Sequence, residues 1–168
     1  GNYFAAFSDG STVAGKIQGG ASAVAYTTTA GDYAEYFKSD PNNLPQGGQI
    51  VMTDTSNNQS VLKSGASTDK LLVGIVSTNP GFIGNGPLCN IDDDNCETNY
   101  AKYNSLVALS GQVPAKVNTT NGPIAIGDPI TASSVVGEGS KATSTSYIVG
   151  YAQEALASGS GTINVLVR

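Results

Sequence analysis

The sequence predicts an all-β fold, and three observations carry that expectation. Short runs rich in Val, Ile, Thr and Tyr recur along the chain, each bounded by Gly, Asn, Asp or Pro. Charged residues make up only 12% of the 168 residues, about half the ordinary share of roughly 25%, and the Glu/Lys/Ala/Leu bias of helical chains is missing. Glycine occurs 21 times and supplies turns, while an apolar fraction of 39% suffices for a core. The expected architecture is a β-rich stem or oligomerisation segment over residues 1–30, followed by a compact, small β-barrel-like domain over 31–168 with a pseudo-two-fold internal repeat.

The first segment opens on Tyr3-Phe4-Ala5-Ala6-Phe7, a β-prone run that ends at the turn signal Ser8-Asp9-Gly10. A second run, Thr12 to Ile17, precedes Gly19-Gly20, and a third spans Ala23 to Thr29. Three short strands of small residues bury little by themselves, so the segment is expected to need partner chains or the main domain. Residues 31–38, GDYAEYFK, are the one stretch that reads as a helical turn or two, capped by Gly31 or Asp32.

Beyond Pro41 and Pro45 the pattern is strands and turns, with a weak repeat in half-units of about 44–77 and 123–155. LPQGGQIV, Lys63-Ser64 and Leu72 to Val76 are followed later by PIAIGDPIT, Lys141 to Thr143 and Ile148 to Ala152. In this alignment Gly47 falls on Gly127, Ile50 on Ile130, Lys63 on Lys141 and Gly74 on Gly150. Each copy reads as a Gly-centred turn and three strands, and two copies would pack as halves of a barrel. Gly47-Gly48 and Gly127-Asp128 are turns rather than phosphate cradles, since neither precedes a helix or carries a Lys-Ser/Thr pair. Between the copies lie a loop over 86–100 and two strands, Leu106–Leu109 and Val113–Val117, with Pro114 placing the latter at an edge or bulge. The run from Thr162 closes the chain as a core strand.

Composition also excludes function classes. A net charge of −5 with 8 scattered basic residues provides no patch for nucleic acid. No apolar run approaches the roughly 18 residues of a membrane-spanning helix. The absence of a basic-then-apolar segment at Gly1 points to a mature chain or an excised C-terminal piece. The chain contains no His, which removes every His-dependent triad, dyad and zinc site; no cofactor or metal is expected. Catalysis would then fall to carboxylates, Lys, Tyr or hydroxyls, and the activity expected, if there is one, is autoproteolysis only. Cys89 and Cys96 sit in a polar, turn-rich loop and are expected to form a local disulfide, which places the chain outside the cytoplasm, at a cell surface or on a virion. Asp92-Asp93-Asp94 lack the alternating spacing of a calcium loop and read as a solvated tip.

The order of these motifs carries a resemblance. GNYFAAFSDGSTVAGKIQGGASAVAYTTTAGDYAEYF resembles the end of phage tail-spike stalks, where short strands of three chains intertwine before a C-terminal chaperone. GDYAEYF with GIVSTNPGFIGN resembles the self-cleaving C-terminal domains of tail appendages, including the preneck appendage protein of small Bacillus phages. VALSGQVPAKVNTTNGPIAIGDPITASS is similar to the ends of large, tail-fibre-like bacterial surface proteins. The resemblance implies a trimer, and cleavage by an Asp and a Glu beside the scissile bond. By position these are Asp32 and Glu35, which on a helical turn would share a face at i and i+3; the alternative is a cap with an exposed acidic partner.

Three functions follow as expectations. The first is a structural end-domain of an extracellular fibre, assembling as a homotrimer or head-to-tail filament through Tyr3, Phe4, Phe7, Val13, Ile17, Val24 and Tyr26. The second is an intramolecular chaperone that cleaves itself free. The third is an adhesin tip with a cell-surface glycan as partner.

Overall fold

The computed structural model describes residues 2–10, 12–20, 23–65, 69–90, 92–143 and 147–168. The described chain divides into two units, Gly1–Gly31 and Asp32–Arg168. In the first, the three runs expected from the sequence form an antiparallel sheet of strands β1 (Asn2–Asp9), β2 (Thr12–Gly19) and β3 (Val24–Thr28), with β2 central. Gly10, at φ 62°, makes the tight turn between β1 and β2.

The second unit begins with β4 (Asp32–Lys38), then β5 (Ile50–Thr53), β6 (Val61–Lys63), a 3-10 turn at Asp69–Leu71, β7 (Leu72–Val76) and β8 (Phe82–Gly84). A short helix, α1 (Cys96–Ala101), leads into β9 (Asn104–Asn118), β10 (Pro129–Ala132), β11 (Gly139–Lys141), β12 (Gly150–Ala152) and β13 (Ser160–Val167). Strands β11, β10, β12, β13 and β9 neighbour one another in that order, and a parallel pairing of Gly139 with Val117 joins β11 back to β9. This closes a small five-stranded barrel. Its interior holds Val113, Ala115, Val117, Ile124, Ile130, Ile163, Val165 and Val167, together with Ile50 and Ile75 from the neighbouring strands. A second cluster, Val51, Val61, Val76 and Val107, packs with Phe37 where β4, β5, β6, β7 and the first half of β9 meet.

Two sequence expectations are corrected here. Residues 32–38 form a strand, not a helical turn: β4 pairs antiparallel with β9 and parallel with β8. Aromatic and β-branched neighbours on β9 and β8 give DYAEYFK a pleated surface to fit, which outweighs its weak helical pattern. The two strands expected at 106–109 and 113–117 are one strand, β9, continuous through Gly111 at φ 105°. Pro114 is tolerated because Lys116, two residues on, donates its N–H to Gly48 O away from the β13 ladder. The proline nitrogen therefore faces that same side, where the β13 ladder needs no donor.

Within the two segments aligned by sequence the strand order is the same: β5 lies between β6 and β7, and β10 lies between β11 and β12. The turns, however, correspond one residue away from the sequence alignment. Gly48 (φ 80°), not Gly47, takes the left-handed position that Gly127 (φ 88°) takes in the other turn. Gly48 N–H donates to Val76 O and Gly127 N–H to Ala152 O.

One ion pair bears on stability. Lys141 Nζ lies 2.8 Å from Asp128 Oδ2, across the start of the β10–β11 hairpin. The Lys141 hydrogen bond, with a second from Ala125 N–H, holds the Asp128 carboxyl below its ordinary 3.8. A depressed carboxyl contributes stability that is complete above the unfolded value and is lost as pH falls through the folded one. Stability from this pair is therefore expected to drain away below about pH 4. Because Lys141 is 39% exposed, Lys141→Met is expected to cost under about 1 kcal/mol at pH 7 and to flatten the acid limb. Urea midpoints at pH 7 and pH 3 check both.

Candidate functional site

The chemistry-bearing residues fall in three places. The first is the sheet of β1, β2 and β3. Alternate residues of a strand point to opposite faces, and directly paired residues share one. Ile17 pairs with Ala5 and with Tyr26, Gly15 with Phe7, and Gly19 with Val24. A Cβ on Gly19 would meet the Phe4 ring at 2.9 Å, which places Phe4 over the same face. Phe4, Phe7, Ile17, Val24 and Tyr26 therefore share one face of the sheet; Val13, beyond a register shift, pairs with Ser8, the neighbour of Phe7, and does not join them. Tyr3 lies on the other, where Lys16 Nζ sits 4.6 Å from the centre of its ring. Phe4 is 68% exposed and Val24 69%; Phe7, Val13 and Tyr26 are also exposed.

The second place is β4. Asp32 and Glu35, three apart on a strand rather than on a helix, lie on opposite faces, so the shared helical face does not form. Asp32 is buried, its backbone carbonyl accepts from Gly81 N–H, and its Oδ2 has no hydrogen-bond partner among the described residues. Glu35 instead accepts a hydrogen bond from the hydroxyl of Tyr33, its neighbour on the same face. That bond, then burial and the Glu35 charge, push the Tyr33 hydroxyl above its usual range. Gly84 of β8 makes room for the pair, since a Cβ there would lie 3.0 Å from Glu35 Cγ.

The third place is the segment between β7 and β9. Cys89 and Cys96 form the expected disulfide, which ties the loop to the first residue of α1. Tyr100 of α1 packs edge-on against Tyr36 of β4, with ring centres 5.1 Å apart. Burial, then the charges of Glu97 and Tyr100, push the Tyr36 hydroxyl above its usual range. Tyr36, Ile83, Gly86, Pro87, Leu88 and Glu97 line a hollow of about 290 Å³. A neighbouring hollow of about 340 Å³, which shares Glu97, is lined by Cys89, Asn90, Asp93, Asp94 and Thr98. The sequence singled out the cysteines and the aspartates of this segment but not Leu88 or Glu97. A fully exposed Leu88 beside Pro87 in a polar loop was the available signal.

No family model matches the chain, and no curated protein matches it. Among solved structures, the chain is similar to the pre-mature bacteriophage phi29 gene product 12, with a TM-score of 0.60 and 16% identity over 93% of this chain. It spans 24% of that protein's length. It is also similar to the C-terminal fragment of bacteriophage phi29 gene product 12, with a TM-score of 0.58 and 17% identity, covering 82% of this chain and 100% of the fragment. At these identities the likeness is one of fold.

Proposed function

We propose that this chain is a structural end-domain of an extracellular, phage-appendage-type fibre, and that it self-associates as a trimer through the apolar face of its N-terminal sheet. The observation that carries this reading is the gathering of Phe4, Phe7, Ile17, Val24 and Tyr26 on one exposed face. At about 200 Å² for each full aromatic side chain, the exposed fractions add to roughly 500 Å² of apolar surface. That lies at the top of the roughly 300–600 Å² of the largest patch on a typical monomer. It is also well over half of the ~800 Å² that each partner gives a standard interface. Among the described residues nothing pairs with the outer edges of β1 and β3, which three copies around an axis would pair in turn. The fold shared with gene product 12 of a bacteriophage supports the same assignment.

The native mass by light scattering tests it. The full chain is expected at three chain masses, and Phe7→Asp with Val24→Asp at one, with the circular dichroism of the second unit unchanged. A full chain that stays at one mass at every concentration would overturn the reading.

A second reading, release by autoproteolysis, is favoured by one specific feature: the buried Asp32 carboxyl, whose Oδ2 has no partner among the described residues, stands at the first residue of the second unit. Hydrolysis of the Gly31–Asp32 bond would add water across the amide, leaving a carboxylate on Gly31 and an amine on Asp32. Glu35, held by Tyr33 on the opposite face, has no part in this version. Incubation of the chain is expected to yield fragments 1–31 and 32–168 by mass spectrometry, and Asp32→Asn to suppress them. Only intact mass after prolonged incubation rejects it.

A further inference from the structure

We infer that residues 78–103 are an addition to a duplicated scaffold and form a docking surface for a basic, extended polypeptide segment of a partner protein. The scaffold half of the argument rests on hydrogen bonds that recur in the two halves. Gln49 N–H donates to Gln46 O, and Asp128 N–H to Ala125 O. The Gln49 side-chain oxygen accepts from Gln46 N–H at 2.8 Å, and the Asp128 carboxylate accepts from Ala125 N–H at 2.8 Å. Val76 donates to Gln49 and Ala152 to Asp128; Ser64 donates to Ile50 and Ala142 to Pro129. Ser77 donates to Leu106 and Gln153 to Asn164, each at 2.8 Å. The first half of β9 thus stands where β13 stands in the other half, and the two copies run in step from the first turn to Ser77 and Gln153. There they part. Residues 154–161 suffice to reach β13, whereas residues 78–103 add β8, the disulfide and α1 before reaching β9. What one copy lacks is not needed to close the fold.

The added segment presents what a folded surface usually hides. Among the described residues strand β8 pairs with β4 alone, which leaves its other edge open. Phe82, Ile83 and Tyr103 are at least half exposed, and Leu88 is fully exposed. Two facts choose the occupant. The open edge is three residues long, about 10 Å at roughly 3.3 Å per residue, a length that a short extended segment matches. This suits one added strand. The charge is also one-sided: Asp92, Asp93, Asp94 and Glu97 against Lys102 alone. A second copy docking by this same face would meet its own sign, whereas a cationic segment would not. The hollow beside β8 fits one Arg or Lys of such a segment. Its aliphatic stem would lie on Ile83, Pro87 and Leu88, and its charge would lie between Glu97 and the Tyr36 ring.

The test uses the full chain and two fluorescein-labelled peptides of nine residues, one alternating Val and Arg, the other Val and Glu. Anisotropy is expected to show the Val/Arg peptide binding at least about tenfold tighter than its acidic counterpart, and weakening with salt. Glu97→Gln is expected to weaken it roughly threefold or more. Ile83→Ser with Leu88→Ser, both at exposed positions, is expected to abolish it without moving the thermal midpoint. Absence of binding by either peptide, or equal binding by both, overturns the proposal. A fall in native mass in the Ile83/Leu88 variant also overturns it, by showing that a second copy covers the surface; Phe7 and Val24 are untouched there, so the outcome is separate from the trimer test. Replacing 78–103 by residues 154–161 is expected to give a folded chain that no longer binds, and a chain that cannot fold overturns the claim that the segment is an addition.

Discussion

Gly74→Ala and Gly150→Ala are each expected to destabilise the second unit by roughly 3 kcal/mol or more, beyond the ~1–3 kcal/mol of ordinary overpacking. A Cβ at Gly74 would fall inside the contact radius of the Ala108 carbonyl oxygen, 3.2 Å from its carbon and 2.9 Å from Val107 Cγ1. At Gly150 it would strike the Leu166 carbonyl oxygen in the same way, 2.8 Å from the carbon and 2.9 Å from Val165 Cγ1. Neither glycine is needed for an unusual φ. The obstacle is the backbone of the next strand, which is hydrogen-bonded on the sheet and cannot turn aside as a side chain can. Either the β7–β9 or the β12–β13 ladder must separate, exposing paired N–H and C=O groups. Gly65→Ala, with nothing within 4 Å of the added methyl, is the matched control and is expected to be near neutral. Urea unfolding of the three variants measures the difference.

Asn118→Leu is expected to cost about 3 kcal/mol, the range for stranding buried polar partners. The buried Asn118 amide donates to Ser133 Oγ and to Glu138 Oε2, both at 2.8 Å. Its oxygen accepts from the N–H and the hydroxyl of Thr120. One side chain thereby fastens the end of β9 to the turn that follows it and to the β10–β11 hairpin. Leucine fills a similar volume but leaves the Glu138 carboxylate and the buried Ser133 without this donor. Asn118→Asp keeps the shape and sets a second carboxylate beside Glu138, which raises a carboxyl pKa. Its stability deficit is then present above the raised value and is relieved as pH falls through it. Thermal midpoints of both variants at pH 7 and pH 4.5, about where carboxyls begin to titrate, separate lost hydrogen bonds from repulsion.

Much of the strand pattern was legible because short β-prone runs between Gly, Asn and Pro have few alternatives. The three runs before Gly31 and the strand from Thr162 are of this kind, and Cys89 and Cys96 announced their bridge by proximity. GDYAEYFK was misread because Asp, Tyr, Ala, Glu and Phe in sequence satisfy both periods, and only the neighbours on β8 and β9 decide between them. That single misreading also displaced the candidate carboxylates: three residues span nearly a turn of helix but cross from one face to the other on a strand. The glycine alignment slipped by one because Gly47 and Gly48 are adjacent and composition does not tell which adopts positive φ. Nothing local marked Tyr36 and Glu97 as neighbours, since they meet only after the disulfide loop folds back on β4. Asn118 was equally silent, one of many asparagines in a chain rich in them.

Strand β9 runs unbroken from Asn104 to Asn118, its first half in register with β4 and β7 and its second with β13. Neither half of the second unit can melt while the other keeps its sheet intact, because each would take part of this one strand with it. The unit is thus coupled into a single cooperative transition despite having two apolar clusters. The order of events is constrained too: β4 must wait for partners on β8 and β9, the latter more than sixty positions later in the chain. Folding that depends on such distant pairings is slow, and at a given stability unfolding is slow in proportion. In the fibre end-domain proposed above, durability of this kind would matter more than speed.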